Sequence, residues 1–210
     1  MAWDQESSIL LPPDAPPAVA PLINAALDLF ARLGYHGTTT RDIAKQAGVS
    51  NAALYVHFPS KSALLFHIIY RSGSALYEQL LALPPQADSV AALKAFVAMH
   101  VRFHAEHNTA ARIGNYELRS LSRTHLRRVM AIRNGIEQLL SQIIHRGVQA
   151  GEFTLSDPGI ATVAILSLGI DVSRWYSARG RLSPEQLAAE YSDLIVGMVC
   201  KGGLPNPATL

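Results

Sequence analysis

Residues 38 to 61 constrain this chain more than any other stretch. They read Thr-Thr-Thr-Arg-Asp-Ile-Ala-Lys-Gln-Ala-Gly-Val-Ser-Asn-Ala-Ala-Leu-Tyr-Val-His-Phe-Pro-Ser-Lys. Thr39 and Asp42 form a capping-box pattern, which predicts a short helix with Ile43, Ala44 and Ala47 on its inner face. Gly48 stands where the chain must reverse, because glycine takes positive φ at no steric cost. Ser50 or Asn51 can then cap a second short helix, 51 to 57, buried through Leu54. The outer side of that helix is small and polar: Asn51, Ala52, Ala53, Tyr55 and His57. The pattern is a helix-turn-helix.

A helix of this composition suits a DNA major groove. Small residues let the backbone enter, a few polar groups read base edges, and flanking donors hold phosphates. The candidate base readers are Arg41, Asn51, Ala52 and Ala53, the alanines against thymine methyls. The candidate phosphate contacts are Thr40, Tyr55, His57 and Lys61, with Ser50 at the helix start. Generic spacing alone fits an ordinary helical hairpin with a solvated face equally well.

The particular residues go further. Ala26-x-x-Leu29-Phe30, Gly34-Tyr35, Gly37-Thr38-Thr39, Ile43-Ala44, Ala47-Gly48-Val49-Ser50 and Leu54-Tyr55-x-His57-Phe58-Pro59-Ser60-Lys61 resemble the tetracycline-repressor (TetR) family of bacterial transcription regulators. The resemblance runs from about Ile23 to Ile69. It implies a dimeric repressor that binds double-stranded operator DNA and leaves it when a small molecule binds.

The chain has 210 residues, 49% hydrophobic and 16% charged, which is the composition of a globular protein. The net charge of +2 permits nucleic-acid binding without arguing for it. Within 21 to 70 only Arg32, Arg41, Lys45 and Lys61 oppose Asp28 and Asp42, so phosphate contacts must come partly from neutral donors and helix N-termini. Cys200 is the only cysteine, which excludes an intrachain disulfide and a Cys-based zinc site. The N-terminus does not read as a signal peptide, and the apolar run Gly159 to Ile170 is too short to span a bilayer. A cytoplasmic protein without membrane association is expected.

The periodicity predicts an all-α fold of about nine helices. Residues 1 to 18 read as a flexible arm, 19 to 66 as the helix-turn-helix domain, and 67 to 210 as a ligand-binding and dimerisation domain. Helix one starts near Val19 and ends at Gly34, and a helix over 61 to 82 serves both domains. Five more are expected at 89–106, 109–120, 123–149, 157–178 and 184–200. No glycine-rich phosphate loop, Gly-x-Ser-x-Gly elbow or His-Glu-x-x-His motif supports an enzyme, and no catalytic residue or resident cofactor is expected.

Residues 112 to 146 hold seven arginines against Glu117 and Glu137. Arg123, Arg127 and Arg128 stand in the first turns of a helix, where the dipole disfavours cations, so the cluster fits either an anionic partner or a solvated face. Arg133 to Glu137, Gly147 to Phe153, Trp175-Tyr176, Gly180 to Glu185 and Tyr191 resemble regulators of fatty-acid and sterol degradation within the same family. That resemblance implies an acyl-CoA effector; the candidate ligand residues are Asn115, Tyr116, Arg119, Met130, Arg133, Asn134 and Trp175. Control by a protein partner or another apolar ligand is the alternative. His100, His104 and His107 share a helix face but lack an acidic or Cys companion, so a structural role is expected and no metal site. The last two long helices can bury their apolar stripes within the chain or against a second copy; the family resemblance implies the dimer, through Ala161, Ala164, Leu187, Tyr191, Leu194 and Met198.

Overall fold

The computed structural model describes residues 8–12 and 14–200. Nine α-helices occur among the described residues: α1 Val19–Gly37, α2 Thr40–Gln46, α3 Asn51–His57, α4 Lys61–Leu81, α5 Ser89–Glu106, α6 Asn108–Tyr116, α7 Arg123–Gln149, α8 Pro158–Trp175 and α9 Pro184–Val199. A 3-10 turn, Leu118–Ser120, follows α6. The described residues contain no strand, only an isolated antiparallel bridge between Phe153 and Cys200. The all-α expectation holds.

Local signals set most helix starts. Thr39 and Asp42 form the reciprocal capping box of α2, Ser50 accepts the Ala53 amide at α3, and Ser60 accepts the Ala63 amide at α4. Asp157 accepts two amides ahead of Pro158 at α8, and Ser183 with Gln186 caps α9. Three boundaries differ from expectation, the first being the end of the helix expected over 157–178, which stops at Trp175. Helix α1 continues to Gly37 across a kink at Gly34, whose φ of 73° only glycine adopts cheaply. The expected helix 109–120 ends at Tyr116, where Glu117 leaves helical geometry and the 3-10 turn begins.

The chain forms two compact units. The first contains the described residues up to Leu76 together with His107–Arg133. Its core joins Leu22, Ile23, Phe30, Ile43, Leu54 and Leu65 to Ala110, Ile113, Leu121 and Val129. Residues 107 to 133 therefore pack with the helix-turn-helix, whereas the sequence reading assigned everything after 66 to the second domain. The apolar face of α6, carrying Ala110 and Ile113, is what draws this segment in. Part of the expected arm is also anchored: Leu10 is fully buried, and its carbonyl accepts from His67 Nε2 at 2.8 Å. Residues 1–7 and Pro13 lie outside the described residues.

The second unit comprises Tyr77–Glu106 and the described residues from Asn134 onward. Helix α5 packs on both α8 and α9, around Leu93, Phe96, Val101, Ile165, Val172 and Ile195. The α5–α8 contact is close: a Cβ on Gly169 would lie 2.2 Å from His100 Nδ1. His100 and His104 are buried here, with His104 Nδ1 donating to the His100 carbonyl at 2.8 Å. Burial holds the His100 pKa well below the ordinary imidazole value, with the charge of His104 adding to the effect. These are core histidines. Among the described residues no group of three or more His, Cys, Asp or Glu is arranged to hold a metal ion.

Candidate nucleic-acid interface and effector residues

The recognition candidate is α3, seven residues long and tethered by a single buried side chain, Leu54. With so little of its surface in the core, the rest is presented outward. Asn51, Ala52 and Tyr55 are exposed, while Ala53 and His57 are half-buried. Val56, absent from the expected set, is the most exposed large apolar side chain described, at 80%. Two residues on from Leu54, it lies about 200° round the helix and so faces away from the tether.

The phosphate candidates divide into two kinds. Thr40 Oγ1 lies 3.1 Å from the Tyr55 hydroxyl, so the pair ties the start of α2 to α3 and presents both oxygens at one edge. Arg41 is exposed on α2, and no salt bridge involves it among the described residues. Ser50 spends its hydroxyl as the α3 N-cap.

Lys61 has a structural role beside the expected one. Its ammonium donates to the carbonyls of Tyr35 at 2.7 Å and Thr38 at 2.6 Å, and sits 4.2 Å over the Tyr35 ring. Two of its three N–H groups thus hold the end of α1, a helix C-terminus where cations are favoured. Lys61 is first a strut. Thr38, buried between these contacts, directs its own hydroxyl at the carbonyls of Gly34 (2.9 Å) and Leu29 (3.2 Å). The Asp42 carboxyl, hydrogen-bonded by Thr39, is held below the usual carboxylate range.

The effector candidates fall in both units. Asn115, Tyr116, Arg119, Met130 and Arg133 belong to the first, Asn134 and Trp175 to the second. Within the first, Arg133 Nη2 donates to the Gly114 carbonyl (2.9 Å) and to Asn115 Oδ1 (2.8 Å), which brings those two candidates together. Burial lowers the Arg133 pKa from its usual value. Tyr116 and Arg119 are exposed and Met130 is partly so. Arg128, beside them in sequence, covers the rings of Phe66 and Tyr70 at 5.0 and 4.7 Å.

In the second unit Trp175 stacks on Tyr191 with ring centroids 6.5 Å apart. A cavity of about 510 Å³ lies in this unit beside Leu80, Pro84, Phe96, Leu139, Ile143 and Arg146. It is lined by none of the seven candidates. Of the interface candidates, Leu194 and Met198 are exposed and Ala161, Ala164 and Tyr191 half-buried, but Leu187 is buried in its own unit. Its side chain points from α9 toward the intrachain core, which removes it from any surface. Ile160 and Val163 of α8 are exposed apolar residues that the sequence set lacked.

Comparison with known proteins agrees with this geometry. Residues 22–68 match the model for bacterial regulatory proteins of the TetR family, and residues 86–199 match the tetracyclin repressor-like C-terminal domain. A bacterial regulatory protein in the TetR family from Rhodococcus RHA1 is 37% identical, over 88% of this chain and 98% of that one, with a TM-score of 0.82. The transcriptional repressor KstR2 of Rhodococcus jostii RHA1 is 26% identical over 191 residues, 89% of this chain and 90% of that protein. The fatty acid metabolism regulator protein of Bacillus subtilis strain 168 is 26% identical over 137 residues, 65% of this chain and 71% of that protein. With a capped two-helix reader in one unit and family models matching both halves of its length, this chain belongs to the TetR family of transcriptional regulators.

Proposed function

We propose that the protein acts in the cytoplasm as a homodimeric repressor that binds double-stranded operator DNA through α3 and is released by a small-molecule effector of the acyl-CoA class. The observation that carries the DNA reading is α3 itself: capped by Ser50, tethered by Leu54, and presenting Asn51, Ala52, Tyr55 and Val56 outward. Asn51 would pair with an adenine edge, Ala52 and Val56 would meet thymine methyls, and Tyr55 with Thr40 would hold a phosphate. Arg41 adds a cation at the same edge. One seven-residue helix reads few bases, so useful affinity calls for two half-sites and two copies.

The dimer reading is supported by the exposed apolar residues Ile160 and Val163 on α8 and Leu194 and Met198 on α9, which belong to the same unit. The effector reading is supported by Arg133, half-buried and hydrogen-bonded to a carbonyl and an amide oxygen rather than to a carboxylate, which leaves its charge for an anionic ligand. The similarity to a fatty acid metabolism regulator supports the acyl-CoA class. Effector binding would favour a dimer whose recognition helices no longer match the half-site spacing.

The test is a gel shift of the purified protein on the DNA upstream of its own gene, repeated with a panel of CoA thioesters. A shift reversed by one thioester, and not by its free acid or by CoA, is the expected result. A shift that no thioester disturbs keeps the regulator and removes the ligand class.

A further inference from the structure

The break in α1 at Gly34 leaves the following amide, that of Tyr35, in need of an acceptor. The acceptor is remote in sequence: Glu117 Oε1 receives the Tyr35 N–H at 3.1 Å, across 82 residues. The second oxygen of the same carboxylate accepts from the Ser120 hydroxyl at 3.0 Å. Glu117 is the residue at which α6 ends, one turn after Gly114 and Asn115, the two partners of Arg133.

On the other side of the contact, the Tyr35 carbonyl takes a hydrogen bond from Lys61, and the Tyr35 ring lies beneath the same ammonium. Lys61 also holds the Thr38 carbonyl, and Thr39 caps α2. Each step from Arg133 to the first residue of the helix-turn-helix is thus a defined contact within the first unit, and the Glu117 carboxylate ties its two halves by a charge-assisted hydrogen bond beside their shared apolar core. We propose that Glu117 is a positioning residue that couples the segment 107–133 to the DNA-reading helices. The proposal rests on the regulator reading above. A shift at the end of α6 moves the Tyr35 amide, and with it both carbonyls that root the helix-turn-helix.

Hydrogen exchange of the full-length protein tests this with Glu117→Ala and Glu117→Gln. The glutamine keeps an acceptor oxygen of the same reach. Without DNA, the Tyr35 amide of Glu117→Ala exchanges on the order of tenfold faster than wild type, since a charge-assisted hydrogen bond is lost. Glu117→Gln stays close to wild type. The duplex from upstream of the gene, added at low salt, slows exchange in residues 114–121 of wild type and Glu117→Gln but not of Glu117→Ala. Unchanged Tyr35 exchange in Glu117→Ala, or DNA-induced slowing at 114–121 that survives that substitution, overturns the coupling. A wild-type protein that does not bind the duplex overturns the regulator reading instead, and the DNA-free exchange still decides whether the carboxylate holds Tyr35. Thermal melting of both variants separates loss of the contact from loss of the fold.

Discussion

At the scale of single residues, Lys61 and Tyr55 separate two ways in which a donor can serve DNA binding. Lys61 is committed to two carbonyls at the end of α1, while the Tyr55 hydroxyl meets the hydroxyl of the half-buried Thr40. Lys61→Met keeps the aliphatic stem and leaves the Tyr35 and Thr38 carbonyls without their donor. It is expected to lower stability by about 1–3 kcal/mol in urea titration and to weaken binding to unrelated duplexes equally. Tyr55→Phe is expected to leave the urea midpoint nearly unchanged and still weaken binding across sequences. A Lys61→Met protein of wild-type stability would return that residue to the role of simple phosphate donor. The sequence shows a lysine at a helix start; which atoms its ammonium reaches depends on where α1 ends, and α1 ends beyond a kink.

At the scale of elements, the close approach of α5 and α8 rests on Gly169. The Cβ of Gly169→Ala would overlap the His100 ring, and a buried imidazole packed against Phe96 has little room to yield. The substitution is expected to cost about 1–3 kcal/mol, an overpacking penalty. The same substitution made in a His100→Ala background should cost much less, and a double-mutant cycle by thermal melting measures the difference. Equal cost in both backgrounds would show that the strain lies elsewhere. Such contacts mark the limit of what the chain discloses. Ser50, Ser60, Asp157 and Ser183 cap helices through groups two or three residues away, so those starts are legible. The kink at Gly34 and the end of α6 at Glu117 are one event, a hydrogen bond between distant residues, and no local pattern records it. For the same reason α6 reads as part of the second domain until its apolar face is seen in the core with Ile69 and Leu65. In the candidate interface, the exposed positions of α3 follow from the spacing around Leu54, including Val56, which the expected set omits. The effector candidates came from resemblance rather than spacing, and of those seven only Arg133 and Asn115 are joined by a hydrogen bond.

At the scale of the whole molecule, buried histidines set an acid limit and exposed apolar residues would carry the proposed dimer. Burial lowers the pKa of His107 from 6.5 to about 4 and holds that of His100 well below 6.5. Both imidazoles are neutral in the fold and protonate more readily in the unfolded chain, so the unfolded state takes up protons first. Stability is expected to be level above pH 6.5 and to fall as the pH drops from 6.5 toward 4, by at most about 1.4 kcal/mol per pH unit for each histidine. Urea titrations at pH 7.5, 6 and 5 measure this, and a flat profile would mean that neither ring is held neutral.

The assembly prediction turns on the orientation of α9. Leu194 and Met198 are more than half exposed, whereas Leu187 on the same helix is 3% exposed and packs inside its own unit. A pair of carboxylates at 194 and 198 would have to be desolvated in an interface but would remain hydrated on a monomer surface. Leu194→Glu with Met198→Glu is therefore expected to sediment as a folded monomer with a thermal transition of its own. Leu187→Ala should remain a dimer and lose roughly 2–5 kcal/mol of stability, the usual cost of emptying a leucine site in a core. The monomer keeps an intact α3, but its two half-sites are no longer bound together. Its affinity for a palindromic duplex should drop by roughly 10²–10⁴, the advantage that linkage confers, while its affinity for a single half-site is unchanged. If the double glutamate variant still sediments as a dimer, the interface lies on another face. If it is monomeric yet binds the palindrome as tightly as wild type, a single copy of α3 suffices for recognition.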